Sequence, residues 1–256
     1  MKITQAILTV AALGISLFSA TSAYAALLSR LNGQAVYDSD LNVTWLTNAN
    51  LAATNTFGVS GINLDGSMTW NTAQTWIAAM NATSYLGFND WRLPVTGPVN
   101  GAFFNYSPSF IGSTDDGFNI SAPGTVYAGS KASEMAYLFY NELGNKNYCD
   151  PTASTATTCV GPQAGWGLNN TGPFTNFQST LYWSNTDYMG PNSSYAWTLL
   201  FTGYGGIQGD APKDGNYDAL VVRVGDVSAV PEPAAAWLLS SGLICLAGLV
   251  RKRKAA

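Results

Sequence analysis

The residues that could do chemistry in this chain are few, because its 256 residues include no histidine. Catalytic triads that need an imidazole base are therefore excluded. Carboxylates are the other candidates, and they occur in two close groups, Asp115 with Asp116 and Asp210 with Asp214. Carboxylates so close in sequence are more typical of solvated loops or calcium ligands than of a catalytic pair set across a cleft. No catalytic residue, metal site or cofactor is predicted, and calcium binding by these aspartates together with Asp218 is kept as an alternative.

Two of the three cysteines lie in the central part of the chain, and Cys245 lies in an apolar segment near its end. Cys149 and Cys159 enclose a loop rich in serine and threonine, and an oxidising compartment favours a disulfide between them. Neither cysteine has a histidine that could activate it. We therefore predict a structural disulfide that fastens the loop.

Aromatic residues that lie near asparagine and glutamine residues are candidates for sugar binding. Aromatic faces can pack on the carbons of a sugar ring, and amide groups can form hydrogen bonds with its hydroxyls. The chain has thirteen tyrosines and eight tryptophans but few charges. The candidate sugar-stacking residues all lie in predicted loops: Tyr106, Trp166, Tyr188 and Tyr204. Asn169, Asn170, Asn192 and Gln208 lie beside them in the sequence. The alternative for each ring is packing against its own domain.

Two helices and a set of short strands are predicted to position these residues. Apolar residues at helical spacing after Thr69 predict one amphipathic helix, and a second is predicted from Ser130, as its cap, to Gly144. A hairpin is predicted around the turn at Asp38–Asp40. Residues 95–129 are predicted to form a long loop. Further strands are predicted from apolar and aromatic runs at 181–184, 195–201 and 219–224.

The first 25 residues have the order of a secretory signal peptide. Lys2 is followed by an apolar stretch from about Ala6 to Phe18 and then by Ala23-Tyr24-Ala25. Charged, apolar and small residues in this order predict export, with cleavage by signal peptidase after Ala25.

Residues 227–256 are predicted to be a sorting and anchoring tail. A linker leads to Val230-Pro231-Glu232-Pro233, which is followed by the uncharged residues 234–250 and the basic cluster Arg251–Lys254. A helix over 234–250 would be about 25 Å long, just enough to cross a bilayer core. The basic end is expected to stay in the cytoplasm, so the body of the protein is expected outside.

The region between these ends, residues 26–226, is long enough for a single domain with a sizeable core. Between the signal peptide and the tail motif there are six basic and fourteen acidic residues, a net charge near −8. Nucleic acids and anionic lipids need a basic surface, so this charge argues against both as partners of the domain.

Arg92 has a predicted structural role. It lies between Trp91 and Leu93 in a weakly charged domain, so we expect its guanidinium to be partly buried. A buried guanidinium needs a carboxylate or several carbonyl partners. We predict that Glu134 is the partner and that the pair joins a helix to a sheet.

Several segments spread over most of residues 33–226 together resemble one domain family. They are Val36-Tyr37-Asp38, Val43-Thr44-Trp45-Leu46, Met68-Thr69-Trp70, Asp90-Trp91-Arg92-Leu93-Pro94, Ser133-Glu134-Met135, Asn141-Glu142-Leu143-Gly144-Asn145, Tyr182-Trp183-Ser184 and Val221-Val222-Arg223-Val224-Gly225-Asp226. This pattern resembles the DUF1566, or Lcl C-terminal, domain family, named after a bacterial collagen-like adhesin. The Trp-Arg-Leu-Pro segment also resembles the formylglycine-generating sulfatase-modifying domains. The resemblance implies an α+β fold of the C-type-lectin-like kind, with two helices packed on a twisted, mainly antiparallel sheet and long loops.

The same resemblances lead to an expected function. Formylglycine-generating chemistry needs a cysteine pair late in the domain, which Cys149 and Cys159 do not provide. The adhesin-like domain implies contact with glycans, and the acidic body favours a neutral polysaccharide. The tail resembles a PEP-CTERM signal, which an exosortase cuts near the motif. We therefore expect a non-enzymatic, exported protein, held in the inner membrane as a precursor and located at the cell surface or outside when mature. The alternatives are a carbohydrate-active enzyme and a purely structural surface protein.

Overall fold

The computed structural model describes residues 27–227 apart from 179, 192 and 202. The predicted signal peptide, the Val230–Pro233 motif and the predicted membrane helix at 234–250 lie outside the described residues. Within the described part of the chain, no helix is both long and apolar enough to cross a membrane.

The described residues form nine strands and two α-helices, which are numbered in chain order. They are β1 (Leu27–Arg30), β2 (Ala35–Asp38), β3 (Val43–Leu46), α1 (Trp70–Ala82), β4 (Pro108–Ser109), β5 (Asp116–Gly117), α2 (Glu134–Tyr137), β6 (Leu181–Asp187), β7 (Tyr195–Leu200), β8 (Ile207–Pro212) and β9 (Val222–Val224).

The first sheet joins the two ends of the domain in the order β1-β2-β3-β9, with every pair antiparallel. The predicted hairpin is present, because the Asp38 carboxylate accepts hydrogen bonds from the backbone N–H groups of Asp40 (3.1 Å) and Leu41 (2.9 Å). The strand predicted at 219–224 is shorter than expected. It pairs with β3, placing Val224 opposite Val43, and does not pair with the strands that precede it in sequence.

The second sheet has the order β4-β5-β8-β7-β6, and only its β4–β5 pair is parallel. β6 and β7 were predicted, but β8 was not. The segment Ile207–Pro212 contains Gly209, Asp210 and Pro212, which are residue types depleted from strands. β4 and β5 are two-residue strands inside the region predicted to be a long loop.

Helix α1 follows the prediction. The Thr69 hydroxyl accepts a hydrogen bond from the Thr72 N–H at 3.2 Å, and Ala73, Trp76, Ile77 and Met80 are buried. The predicted cap of the second helix was wrong, since the capping side chain is Ser133 and not Ser130. α2 continues as a π-helical segment, Leu138–Glu142, and the chain leaves it at Gly144 with φ 63°.

The core consists of two clusters of apolar residues. One packs α2 and the π-helical segment against Trp45, Tyr182 and Phe201, and the other packs α1 against Trp91 and Trp183. The protein therefore has an α+β fold with mostly antiparallel sheets and two helices. It differs from the expectation in having two sheets where one twisted sheet was predicted.

Candidate functional site

The most exposed aromatic group among the predicted sugar-stacking residues is formed by Trp166 and Tyr204. Their ring centroids are 6.3 Å apart and the ring planes are inclined by 27°. Tyr148 meets both rings edge-on, at 5.1 Å and 4.9 Å. Trp166 is 38% exposed and Tyr204 is 53% exposed. We call these three residues the Trp166 platform.

Backbone hydrogen bonds hold the three segments of the platform together. The Tyr148 N–H donates to the Tyr204 carbonyl at 2.9 Å, and the Gly167 N–H donates to the Lys146 carbonyl at 2.8 Å. The Asn169 side chain donates to the carbonyl oxygens of Gly165 and Trp166, each at 2.9 Å. The ring positions are therefore set by bonded loops, although no ring lies on a regular element.

A cavity of about 370 Å³ lies beside the platform. We call it the amide cleft, and its lining includes Asn119, Tyr140, Asn141, Asn145, Lys146 and Gln163. It adjoins the platform, because the Gln163 N–H donates to the Tyr148 carbonyl at 3.1 Å and Lys146 bonds to Gly167.

Three of these amides turn their NH₂ groups into the protein. Asn119 donates to the carbonyl oxygens of Phe110 (2.8 Å) and Cys149 (2.9 Å). Gln163 donates to the carbonyl oxygens of Asn147 (2.7 Å) and Cys149 (3.0 Å), and Asn141 donates to Ser121. Since backbone carbonyls only accept, these bonds fix which end of each amide points inward. Within the described residues, no hydrogen bond is made to the side-chain oxygens of Asn119, Asn141 and Gln163, so these three oxygens remain as acceptors among the lining residues.

The sequence did not single out Tyr148 or the residues of the amide cleft. The nearest signal was the density of asparagines around the second helix and the position of Tyr148 next to Cys149. Asn169 and Asn170 were expected to help bind a ligand. Their side-chain N–H groups are instead committed to the protein, with Asn170 donating to the Leu143 carbonyl at 2.8 Å.

No family model, curated protein or solved structure matches this chain. A function for this domain must therefore be inferred from the geometry of its site.

The other two predicted stacking residues surround Trp197 in the second sheet. Tyr188 is only 7% exposed, its ring lies 4.6 Å from Trp197, and its hydroxyl donates to Asp116 at 3.0 Å. Tyr106 is half-buried and stacks on Trp197 at 5.9 Å with an angle of 14°. For Tyr188 the alternative of packing against its own domain therefore holds, and one face of Tyr106 is already covered.

The five aspartates considered as calcium ligands do not share one site, and Asp218 lines a cavity with Asp65 instead. The Asp115 carboxylate is buried and accepts hydrogen bonds from the N–H groups of Val99 (2.6 Å) and Asn105 (2.7 Å), so it shapes the loop between them. Asp116 pairs with Tyr188, and Asp210 and Asp214 are exposed. In the described part of the chain, no group of three or more histidine, cysteine, aspartate or glutamate side chains could hold a metal ion.

Burial raises the pKa of Asp115, and the two backbone N–H groups oppose this by stabilising its charged form. Burial also raises the pKa of Asp116, with the nearby charge of Asp210 acting in the same direction and the Tyr188 hydroxyl opposing it. Both shifts are explained by structural contacts, so neither aspartate is assigned a catalytic role.

The Trp91–Pro94 segment connects both helices to both sheets. The Trp91 N–H and carbonyl bond to the Asn81 side chain at the end of α1, at 2.9 Å and 2.8 Å. Arg92 exchanges two backbone hydrogen bonds with Val222 of β9, and its guanidinium contacts Glu134 of α2, as predicted. Leu93 is fully buried, and the Pro94 carbonyl accepts from Ser184 of β6 at 3.0 Å. These contacts give the segment a structural role.

Cys149 and Cys159 are joined by a disulfide. Cys149 is buried, and its neighbour Tyr148 belongs to the Trp166 platform. The disulfide loop is thus attached directly to the candidate site.

Proposed function

We propose that this chain is an exported cell-surface protein whose domain binds a neutral polysaccharide at the Trp166 platform and the amide cleft, without turnover. The observation that carries the proposal is the exposed, mutually stacked pair Trp166 and Tyr204 beside a cleft lined by amide side chains. Binding sites of this kind combine aromatic area with a few placed polar groups.

The chemistry of a sugar ring matches these two surfaces. One face of a pyranose carries C–H groups, which pack on an aromatic ring and lose contact with water. Its hydroxyl groups are hydrogen-bond donors, and the amide oxygens of Asn119, Asn141 and Gln163 are acceptors for them.

Charge selects among polysaccharides. The body carries six basic and fourteen acidic residues, so a sulfated or uronate-rich chain would be repelled. Lys146 is the cation in the lining of the cleft, and a single lysine does not offset that balance. A neutral polysaccharide is therefore the ligand class that fits.

The remaining parts of the proposal come from the sequence patterns. The domain is proposed to belong with the DUF1566, or Lcl C-terminal, domains and to have a C-type-lectin-like arrangement, which the α+β architecture with mostly antiparallel sheets supports. Residues 1–25 direct export, and Val230–Pro233 with the following segment forms a PEP-CTERM signal processed by an exosortase. The precursor is held in the inner membrane through residues 234–250, and the mature form works at the cell surface or outside.

A glycan array and a pull-down with insoluble polysaccharides test the function, using the full chain in mild detergent. We expect Trp166→Ala and Tyr204→Ala to weaken binding at least tenfold, which is about 1.4 kcal/mol. Phe103→Ala is the matched control, because Phe103 is 82% exposed and lies outside the platform. Turnover of a polysaccharide would support the enzyme alternative. Neither binding nor turnover would leave the structural alternative and refute the proposal.

A further inference from the structure

Glu142 is a buried carboxyl group that the candidate site does not use. It ends the π-helical segment Leu138–Glu142, and only 8% of the residue is exposed. Within the described part of the chain, both of its carboxyl oxygens are enclosed and neither accepts a hydrogen bond. A buried carboxylate without a donor is costly, so this group calls for an explanation.

The neighbour of Glu142 is the Asp38 carboxylate, in the hairpin between β2 and β3. Asp38 is fully buried. Its oxygens accept from three N–H groups, those of Asp40 (3.1 Å), Leu41 (2.9 Å) and the Trp45 indole (3.4 Å). These donors stabilise the charged form of Asp38, whereas none of the described residues donates to Glu142. Glu142 can satisfy this pair only as the protonated partner, whose O–H group donates to Asp38.

Three further titratable groups lie around Glu142, namely Asp40, Lys131 and Tyr137. The Tyr137 hydroxyl donates to the Asp40 carboxylate at 2.8 Å, and the Lys131 ammonium donates to the Asp40 carbonyl at 2.6 Å. Burial raises the pKa of Glu142 to about 8, and the charges of Asp38 and Asp40 act in the same direction. Lys131 opposes them. Glu142 is therefore neutral at pH 7 and ionises at alkaline pH.

The chain around Glu142 builds the amide cleft. Asn141 precedes it and Gly144, Asn145 and Lys146 follow it, and all four line the cleft. A π-helical turn is rarer than an α-helical one and is frequent at functional sites. A shift of Glu142 would therefore move cleft residues on both sides of it.

The same stretch of chain supports the Trp166 platform. The Asn145 side-chain oxygen accepts from the N–H groups of Asn169 (3.0 Å) and Asn170 (2.9 Å). Asn169 in turn donates to the Trp166 carbonyl at 2.9 Å. Movement after Glu142 would therefore reach the platform as well as the cleft.

We propose that the proton of Glu142 holds the amide cleft in its binding form, and that its loss at alkaline pH opens the cleft and releases the polysaccharide. The inference rests on the proposed function, because it concerns regulation of the same site. On ionisation the proton passes to the solvent, and the new carboxylate is repelled by Asp38 and Asp40. The end of the π-helical segment then moves away from the hairpin and takes Asn141 and Asn145 with it. A local change of charge is thereby converted into a change of the site.

The first test is binding at pH 7 and pH 9 by the full chain in mild detergent, with the neutral polysaccharide retained in the pull-down as the probe. The protonated fraction of Glu142 falls from about nine-tenths to about one-tenth, so the affinity should fall about tenfold. Glu142→Gln should bind equally at both pH values, because its amide does not titrate and can still donate to Asp38. Asp214→Asn removes an exposed carboxylate after β8 and should keep the tenfold fall. An equal fall in wild type and Glu142→Gln would overturn the proposal, as would a wild-type affinity that is the same at both pH values.

Two further measurements need no ligand. The chain contains three glutamates, Glu134, Glu142 and Glu232, so carbon-13 NMR of labelled glutamate carboxyl groups follows each of them. One signal should titrate near pH 8 and be absent from Glu142→Gln. Hydrogen exchange of residues 138–146, corrected for its intrinsic dependence on pH, should quicken from pH 7 to pH 9 in the wild type and not in the variant.

A glutamate spectrum in which no signal titrates above pH 7 would overturn the proposal, and so would unchanged exchange of residues 138–146. Absence of polysaccharide binding at every pH would instead refute the proposed function. The two measurements without ligand would then still decide whether ionisation of Glu142 opens the cleft, so the two proposals can fail separately.

Discussion

Arg92 and Glu134 form a two-pronged ion pair, in which two guanidinium nitrogens each donate to a different carboxylate oxygen at 2.7 Å. The same carboxylate also accepts the Val95 N–H at 2.8 Å, and Arg92 bonds to β9 through its backbone. One side-chain pair therefore ties α2 to the first sheet.

Removing the arginine should destabilise the fold without affecting the ligand site. Arg92→Met leaves the Glu134 carboxylate, 9% exposed, without its counter-ion. We expect a loss of about 3 kcal/mol in the free energy of unfolding, measured by urea denaturation. Arg223→Met is the control, because its partner Asp90 is 49% exposed and stays hydrated, so about 1 kcal/mol should be lost. A stable Arg92→Met protein that had lost only polysaccharide binding would contradict this structural role.

Glu142 should make the protein less stable as pH rises. Burial, and then the charges of Asp38 and Asp40, raise the pKa of Glu142 to about 8 from a usual value near 4.5. Between about pH 4.5 and pH 8, therefore, Glu142 is protonated in the folded state but ionised in the unfolded state. Stability from this group is complete below about pH 4.5 and is lost as pH rises towards about 8.

Glu142→Gln tests this pH dependence, since the amide is neutral at every pH. The difference in Tm between variant and wild type should move in favour of the variant from pH 5 to pH 8.5. The pKa of Asp218 is also raised, so Asp218 likewise lowers stability as pH rises. Because both proteins contain Asp218, the difference between them reports on Glu142. A difference that is constant across this range would show that Glu142 is ionised in the folded protein.

Gly206 should be intolerant of a side chain because the backbone passes close to two aromatic residues. A Cβ at this position would lie 2.5 Å from the Tyr140 hydroxyl and 2.7 Å from the Phe139 ring. Gly203 has the same φ of +67°, but its nearest neighbour would be 3.8 Å away. We expect Gly203→Ala to cost about 1 kcal/mol from backbone strain alone, and Gly206→Ala about 2 kcal/mol more. Equal melting temperatures for the two variants would mean that Tyr140 and Phe139 can move aside.

Reduction of the disulfide should weaken both the fold and the candidate site. Cys149 and Cys159 are ten positions apart, and opening a loop of this size is expected to cost about 3 kcal/mol. Tyr148 precedes Cys149, so the Trp166 platform should lose order with the loop. Cys149→Ser/Cys159→Ser should lower Tm and reduce binding in the pull-down. If the double variant bound as well as the wild type, the Trp166 platform would not depend on the disulfide.

The sequence predicted those elements whose local pattern agrees with their final environment. Thr69 caps α1, and the buried residues of that helix recur every three or four positions. The turn at Asp38 lies between two strands that contain β-branched residues. The ion pair between Arg92 and Glu134 was also predictable, because a guanidinium in an apolar segment requires a partner.

The features that the sequence did not predict depend on contacts between segments that are distant in the chain. β8 is a strand because β7 and β5 pair with it, which overrides the poor strand propensity of Gly209 and Asp210. Tyr188 is buried because Trp197 and Asp116 surround it, and no local pattern distinguishes it from Tyr204.

The ion pair between Arg30 and Asp226, with N–O distances of 2.7 Å and 2.8 Å, clasps the first strand to the segment that follows the last one. A pulling force applied to the chain beyond Asp226 would act first on this ion pair and on β9. The backbone hydrogen bonds between β9 and Arg92 would then transmit it to α2. The Trp166 platform belongs to loops attached to the second sheet and the disulfide, and it follows α2 along the chain, so the first sheet would bear the force before it. A protein tethered at that end could bear the drag of a bound polymer without its binding surface being the first part to deform.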